Sequence, residues 1–234
     1  MPPNRSQDAG KGLGEGAVKR MSWRACIVSL GCALATVGPA SLWSCAPAPA
    51  AAQTAFPPAG SLVSFALTAA DGATITDQSY RGKWLVIYFG YTFCPDVCPT
   101  TLMDIAGALD RLGPRAAAVQ GLFVTVDPRR DTPSVLAEYL KSFDPRLVGL
   151  TGTPTQIAQA AKSFHVFYER RETDDGGYSY DHSAFVYVVD PDGRLVKVMT
   201  GEGGSLQIAE TLSALIDTKR RRADRAGLRH YRRD

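Results

Sequence analysis

The 234-residue chain is poor in histidine, with three, and has five cysteines. Cys26, Cys32 and Cys45 lie in or beside one N-terminal apolar run, so the remainder holds only Cys94 and Cys98. That scarcity excludes a disulfide-stapled scaffold, which spreads cysteines through a small core, and leaves redox or metal chemistry for the pair. Sustained charge of one sign is also missing from the body. Residues 1–24 carry five basic and two acidic groups and residues 219–234 eight basic and two acidic, so within a total of +3 the part between them stands at −6. A nucleic-acid binder that is basic over its folded surface is thereby excluded. No internal repeat is evident. With 45% apolar and 21% charged residues, the length suits one domain with a full core.

Long apolar runs are absent with one exception, the charge-free stretch Ala25 to Trp43, which follows Lys19, Arg20 and Arg24. A basic flank before an apolar centre of this length marks an export signal or a single membrane span. An uncleaved anchor is the first reading. The Ala/Pro residues Ala46 to Ala52 leave signal cleavage open, and Leu42-Trp43-Ser44-Cys45 leaves lipidation at Cys45 open. The chain then divides into a basic extension (1–24), an anchor or signal segment (25–45), a Pro/Ala-rich linker (46–60), a folded domain (61–217) and a basic, disordered tail (218–234).

Within the domain, Leu62 to Thr68 and Thr74 to Thr76 flank Asp71-Gly72 and predict a hairpin. Trp84 to Phe89 is a continuous apolar run of aromatic and β-branched residues, the pattern of a central strand buried on both faces. Cys94 and Cys98 follow it. Pro99 then suits a first helical residue, with Leu102, Ile105, Leu109 and Leu112 at helical spacing until Gly113-Pro114. A strand is predicted within Ala117 to Val126, and Thr132-Pro133 and Thr153-Pro154 each read as an N-cap and first turn. Further strands are expected near Leu147 to Leu150, His165 to Tyr168, Ala184 to Val189 and Leu195 to Met199, and a last helix over Leu206 to Ile216. Strands alternating with helices make this an α/β chain with a central mixed sheet and an N-terminal hairpin.

A cysteine between a strand and a helix start sits where peptide dipoles favour a thiolate, the form that binds metal or attacks a disulfide. The spacing Cys94-Pro-Asp-Val-Cys98 permits convergence on one ion and equally permits a disulfide. His182 precedes the strand at Ala184, and its imidazole joins the thiols only if those segments are neighbours. Alone, it would as readily be a histidine satisfied by hydrogen bonds. Two thiolates and one imidazole suit Cu(I), which accepts low coordination, and hold Cu(II) with an added ligand, whereas zinc asks for four. Asp127-Pro-Arg-Arg-Asp131-Thr-Pro133 reads on its own as turn and cap chemistry.

Three runs carry a resemblance: Tyr88-Phe-Gly-Tyr-Thr-Phe-Cys94-Pro-Asp-Val-Cys98-Pro-Thr-Thr, Val126-Asp-Pro-Arg-Arg-Asp-Thr-Pro133 and Asp181-His-Ser-Ala-Phe185. Together, over about Ser61 to Ile216, the chain is similar to the Sco/SenC family. The resemblance implies a thioredoxin-like sandwich, copper held by Cys94, Cys98 and His182, and a part in building the binuclear copper centre of cytochrome c oxidase. It further implies the oxidase's copper-site subunit and a copper donor protein as partners. The domain is expected in the periplasm, anchored to the inner membrane through the N-terminal segment. The extension before Met21 and the arginine-rich C-terminus depart from the family's pattern. A copper chaperone is the first reading. A thiol-disulfide oxidoreductase that keeps the oxidase's cysteines reduced, with Cys94 and Cys98 as its redox pair, is the second. A peroxidase lacks its separate peroxidatic cysteine.

Overall fold

A computed structural model describes residues 56–231. The basic extension, the anchor or signal segment, and the linker up to residue 55 lie outside the described residues. Strand β3 (Trp84–Gly90) is buried along its whole length, as its uninterrupted apolar sequence requires, and pairs on both sides. It runs parallel to β4 (Val119–Thr125) and antiparallel to β8 (Phe185–Val189). Outward from β4 come β5 (Leu147–Thr151), β1 (Ala66–Ala69) and β2 (Thr74–Thr76), and β9 (Leu195–Thr200) closes the other edge. The order β2-β1-β5-β4-β3-β8-β9 is a mixed seven-stranded sheet, with β1–β2 the expected N-terminal hairpin.

Alternation along β3 assigns the helices. Tyr88 points toward α1 (Val97–Leu112), its hydroxyl reaching Cys98, and its ring lies 6.2 Å from Phe123, which in turn meets Tyr139 of α2 (Pro133–Leu140). Phe89 points the other way, 5.4 Å from Phe164 of α3 (Pro154–Phe164). Both threonine caps form. Thr132 accepts from the Val135 N–H, and Thr153 makes a reciprocal capping box with Gln156.

Three elements differ from expectation. Helix α1 starts at Val97, two residues before Pro99, which puts Cys98 in the first turn, where a proline's missing N–H is still harmless. His165 is not in a strand: it ends α3 in the left-handed conformation at φ 55°, and the strand β6 starts at Tyr168. β6 (Tyr168–Glu172) and β7 (Tyr178–His182) then form a separate two-stranded sheet. The disordered tail expected at 218–234 is helix over residues 218–231, because α4 (Gly204–Tyr231) continues well past Ile216; the remainder of that tail lies outside the described residues. Its basic residues are ordinary helix formers, and the packed first half supplies the nucleus from which the helix extends.

Candidate metal centre

The cysteine loop leaves β3 at Gly90 and is fastened from below by two carboxylates. Asp131 is fully buried and accepts from the Thr92 N–H (3.0 Å), the Thr92 hydroxyl (2.6 Å) and the Thr125 hydroxyl (2.6 Å). Burial raises its pKa above the usual carboxylate range, although those three hydrogen bonds oppose the shift. Asp127, equally buried, pairs with Arg130 and accepts from the Tyr178 hydroxyl at 3.3 Å. The Arg130 guanidinium also donates to the Tyr178 carbonyl (3.0 Å) and stacks between the Tyr178 ring (3.9 Å) and the Phe93 ring (4.6 Å). One arginine thus joins the cysteine loop, the loop after β4 and the β6–β7 hairpin.

Register delivers His182. The pairing of Tyr168 with His182 and Arg170 with Tyr180 puts Tyr168, Tyr178, Tyr180 and His182 on one face of the hairpin. Glu169, Arg171 and Asp181 lie on the other, joined by ion pairs. The aromatic face closes over Tyr91, whose ring is 5.7 Å from Tyr180 and 5.8 Å from His182. His182 Nδ1 lies 3.2 Å from the Ser183 carbonyl, which can only accept, so the proton belongs on Nδ1 and Nε2 keeps its lone pair. That Nε2 is 3.5 Å from Cys98 Sγ.

Cys98 is fully buried and Cys94 is 9% exposed. Both are free thiols, and their sulfurs and a His182 nitrogen all lie within 4.8 Å of one another. No other grouping of three such side chains occurs among the described residues. The Cys98 thiol donates toward Cys94 and pulls the Cys94 pKa well down against the effect of burial, helped by a hydrogen bond with the His182 ring and then by the Asp96 and Cys98 backbone N–H groups. The same hydrogen bond, with burial, pushes Cys98 far up. Physically the pair shares one proton: Cys94 is the thiolate and Cys98 holds the hydrogen. Removing that hydrogen leaves two sulfurs and one imidazole lone pair converging at the edge of the core. This donor set matches copper's preference for soft, low-number coordination.

A model of the SCO1/SenC family matches residues 57–217. The chain belongs to the SCO1/SenC family. A mitochondrial SCO1 homolog of Arabidopsis thaliana is 41% identical over 134 residues, which is 57% of this chain and 40% of the relative. Across the first three relatives the match covers 40 to 66% of their own length. The copper-bound structure of Bradyrhizobium japonicum ScoI superposes with a TM-score of 0.61 at 42% identity, covering 67% of this chain and 98% of that one. BsSco, described as a member of the Sco family of cytochrome c oxidase assembly proteins, shares the fold at 23% identity and a TM-score of 0.53, covering 68% and 95%. The fold of this SCO1/SenC member is thioredoxin-like.

Sequence reasoning missed the supports of the site. Gly90 is one: a Cβ there would lie 2.7 Å from Cys98 Sγ, 3.0 Å from the Phe123 ring and 3.1 Å from the Tyr88 ring. A glycine ending an otherwise bulky strand was the available signal. The Asp127–Arg130–Asp131 group was another, read only as a turn although its carboxylates are the most buried acids of the described chain.

Proposed function

We propose that this protein binds one copper ion through Cys94, Cys98 and His182 and delivers it to the binuclear copper centre of cytochrome c oxidase during assembly. The observation that carries the reading is the convergence of those three donors within 4.8 Å on a braced scaffold. The copper-bound relative supports the metal, and the description of BsSco as a member of a family of cytochrome c oxidase assembly proteins supports a role in oxidase assembly. Cys94 offers a ready thiolate, Cys98 becomes the second on losing its proton, and His182 completes a three-donor set, its Nδ1 facing the Ser183 carbonyl and its Nε2 facing the sulfurs. The oxidase's copper-site subunit receives the ion and a donor protein supplies it. Phe93, 64% exposed, and Val97 give an apolar rim beside Cys94 on which either partner can seat. We place the domain in the periplasm, tethered to the inner membrane by residues 25–45. Among the described residues no helix is long and apolar enough to cross a membrane.

A thiol-disulfide exchange role is the second reading, favoured by the lowered pKa of Cys94 beside a partner thiol. His182 separates the two. Replacing it with alanine leaves both sulfurs, so Cu(I) should stay bound more weakly and Cu(II), which prefers nitrogen donors, should be lost to a greater degree. Thiol exchange should change little. Cells carrying His182→Ala at normal protein level are then expected to assemble little active oxidase while disulfide reduction stays intact. Normal oxidase activity in that strain would refute delivery through His182 and promote the reductase.

A further inference from the structure

Helix α4 outruns the domain it packs on. Its first half is fastened: the Ser205 N–H donates to Asp104 (3.1 Å), Asp217 pairs with Arg115 (3.3 Å), and Lys219 reaches Asp190 (3.2 Å) and Asp192 (2.7 Å). Over Arg220 to Ala226 nothing among the described residues covers it. Arg220 to Ala226 are exposed at every position, yet the backbone stays helical to Tyr231. Those seven residues include Arg220, Arg221, Arg222 and Arg225 against the single acid Asp224. None of the four arginines has an ion-pair partner among the described residues, and Arg221 donates only to Thr218 in its own turn (3.2 Å). Arg221 and Arg225 stand one turn apart, where like charges destabilise a helix. A helix that is polar all round and unpacked is poorly self-supporting. An extended anionic surface relieves both conditions.

The direction of the helix fixes where that surface lies. α4 begins beside Asp104, within the helix whose first turn holds Cys98. It runs with α1, from Ser205 beside Arg111 to Ser213 beside Arg115. Lys219 follows 15 residues after Gly204, about 22 Å further along the axis. There it meets the β8–β9 turn, at the opposite end of β8 from Phe185 and His182. The arginines therefore leave the domain at the pole away from the three donors.

We propose that this arginine-rich extension docks on anionic phospholipid headgroups, so that the domain stands on the bilayer with Cys94, Cys98 and His182 on its far side. Charge is what favours lipid: Arg220 to Ala226 set four arginines against one acid on the exposed end of the helix, which complements a continuous anionic bilayer surface, and an acidic protein partner is an outcome of the test. Dense positive charge alone suffices at an anionic bilayer, at about fivefold in association per arginine. The inference is independent of copper delivery.

Amide hydrogen exchange tests it on the full chain, mixed with vesicles of phosphatidylcholine alone or with phosphatidylglycerol making up about a third of the lipid. Exchange across residues 220–231 should slow about a hundredfold on the anionic vesicles relative to the neutral ones, and the difference should vanish at about 0.5 M salt. It should be absent in the variant Arg220→Gln/Arg221→Gln/Arg222→Gln/Arg225→Gln, with unchanged protection of residues 84–90 reporting an intact core. Equal exchange on both vesicles, or slowing that the variant retains, overturns the proposal. Slowing by polyglutamate but by neither vesicle also overturns it, in favour of an acidic protein partner.

Discussion

Substituting Gly90 by alanine tests whether the space beneath the metal donors is part of the site. The new Cβ would sit 2.7 Å from Cys98 Sγ, while the other neighbours, the Phe123 and Tyr88 rings at 3.0 and 3.1 Å, are buried and cannot swing aside. Ordinary contacts begin at about 3.5 Å, so the sulfur is the atom that yields, by about 0.8 Å. Overpacking of this kind costs about 1–3 kcal/mol of stability. Metal sites tolerate ligand shifts of only about 0.2 Å, so Cu(I) affinity should fall about 10- to 100-fold, comparable to the loss of an orienting partner. Competition against a Cu(I) chelator measures the affinity, and thermal unfolding of the apoprotein measures the stability. Gly121→Ala is the control. Its Cβ would meet the end of the Leu147 side chain at 2.5 Å, on the neighbouring strand, so it should lose stability with little change in copper affinity. If Gly90→Ala bound Cu(I) as tightly as the unaltered protein, the assignment of Cys98 as a fixed donor would fail.

Because Cys94 is already the thiolate and Cys98 holds the shared proton, Cu(I) loading near neutral pH should release about one proton per ion rather than about two, read by an indicator dye in weak buffer. Affinity should accordingly decline as pH falls, and release of about two protons would show that the thiols do not share one. Arg130→Ala should cost about 2–4 kcal/mol, because it leaves the Asp127 carboxylate buried without its cation. It should also speed amide exchange in 178–182 more than in 84–90, and Arg130→Lys should not restore either, since a lysine cannot bond Asp127 and the Tyr178 carbonyl in the same fork. Asp144, held below the usual carboxylate range by hydrogen bonds from Arg146, contributes stability above its unfolded pKa of about 3.9 and loses it as pH falls through the lower folded value. The stability gap between the unaltered protein and Asp144→Asn should therefore be full at pH 6 to 7 and close in acid. A gap that persists below about pH 2 would refute the assignment.

What was legible in the sequence is what local patterns encode. β3 was readable because seven consecutive residues are buried, which leaves no room for a polar one. α2 and α3 announced themselves through Thr-Pro pairs whose capping chemistry is local. The β6–β7 hairpin was not read, because Tyr168-Glu-Arg-Arg-Glu172 is mostly exposed and carries no apolar stripe. The clue was period-two alternation in Tyr178-Ser-Tyr-Asp-His182, after a turn rich in aspartate and glycine. His182 does stand just before β8 as read, but the strand that carries it, β7, was not recognised. The roles of Asp131 and Arg130 depend on contacts to Thr92 and Tyr178, 39 and 48 residues away, and no local pattern carries such distances. Helix α4 beyond Ile216 was missed for the converse reason: its composition resembles a solvated tail, and the packed segment before it is what keeps it helical.

The three donors stand on frames of unequal strength, and under the proposed delivery that inequality sets the order of ligand exchange. Cys98 belongs to a helix packed on the central strand, with Tyr88 and Gly90 fixing its sulfur from beneath. His182 ends a two-stranded sheet that shares no ladder hydrogen bonds with the main sheet, and an isolated pair of strands is only marginally stable in water. Arg130 and the tyrosine face of β7 hold that hairpin in place, while four of the five residues of β6 are exposed, so its hold on the domain runs through one face of one strand. Local openings are drawn from such low-stability units. Under the proposed delivery His182 is then the donor expected to depart first, leaving Cu(I) on two sulfurs, a coordination it tolerates. Phe93 and Val97, exposed next to Cys94 and Cys98 in the sequence, give a seated partner a place from which an incoming ligand can enter before either cysteine has let go.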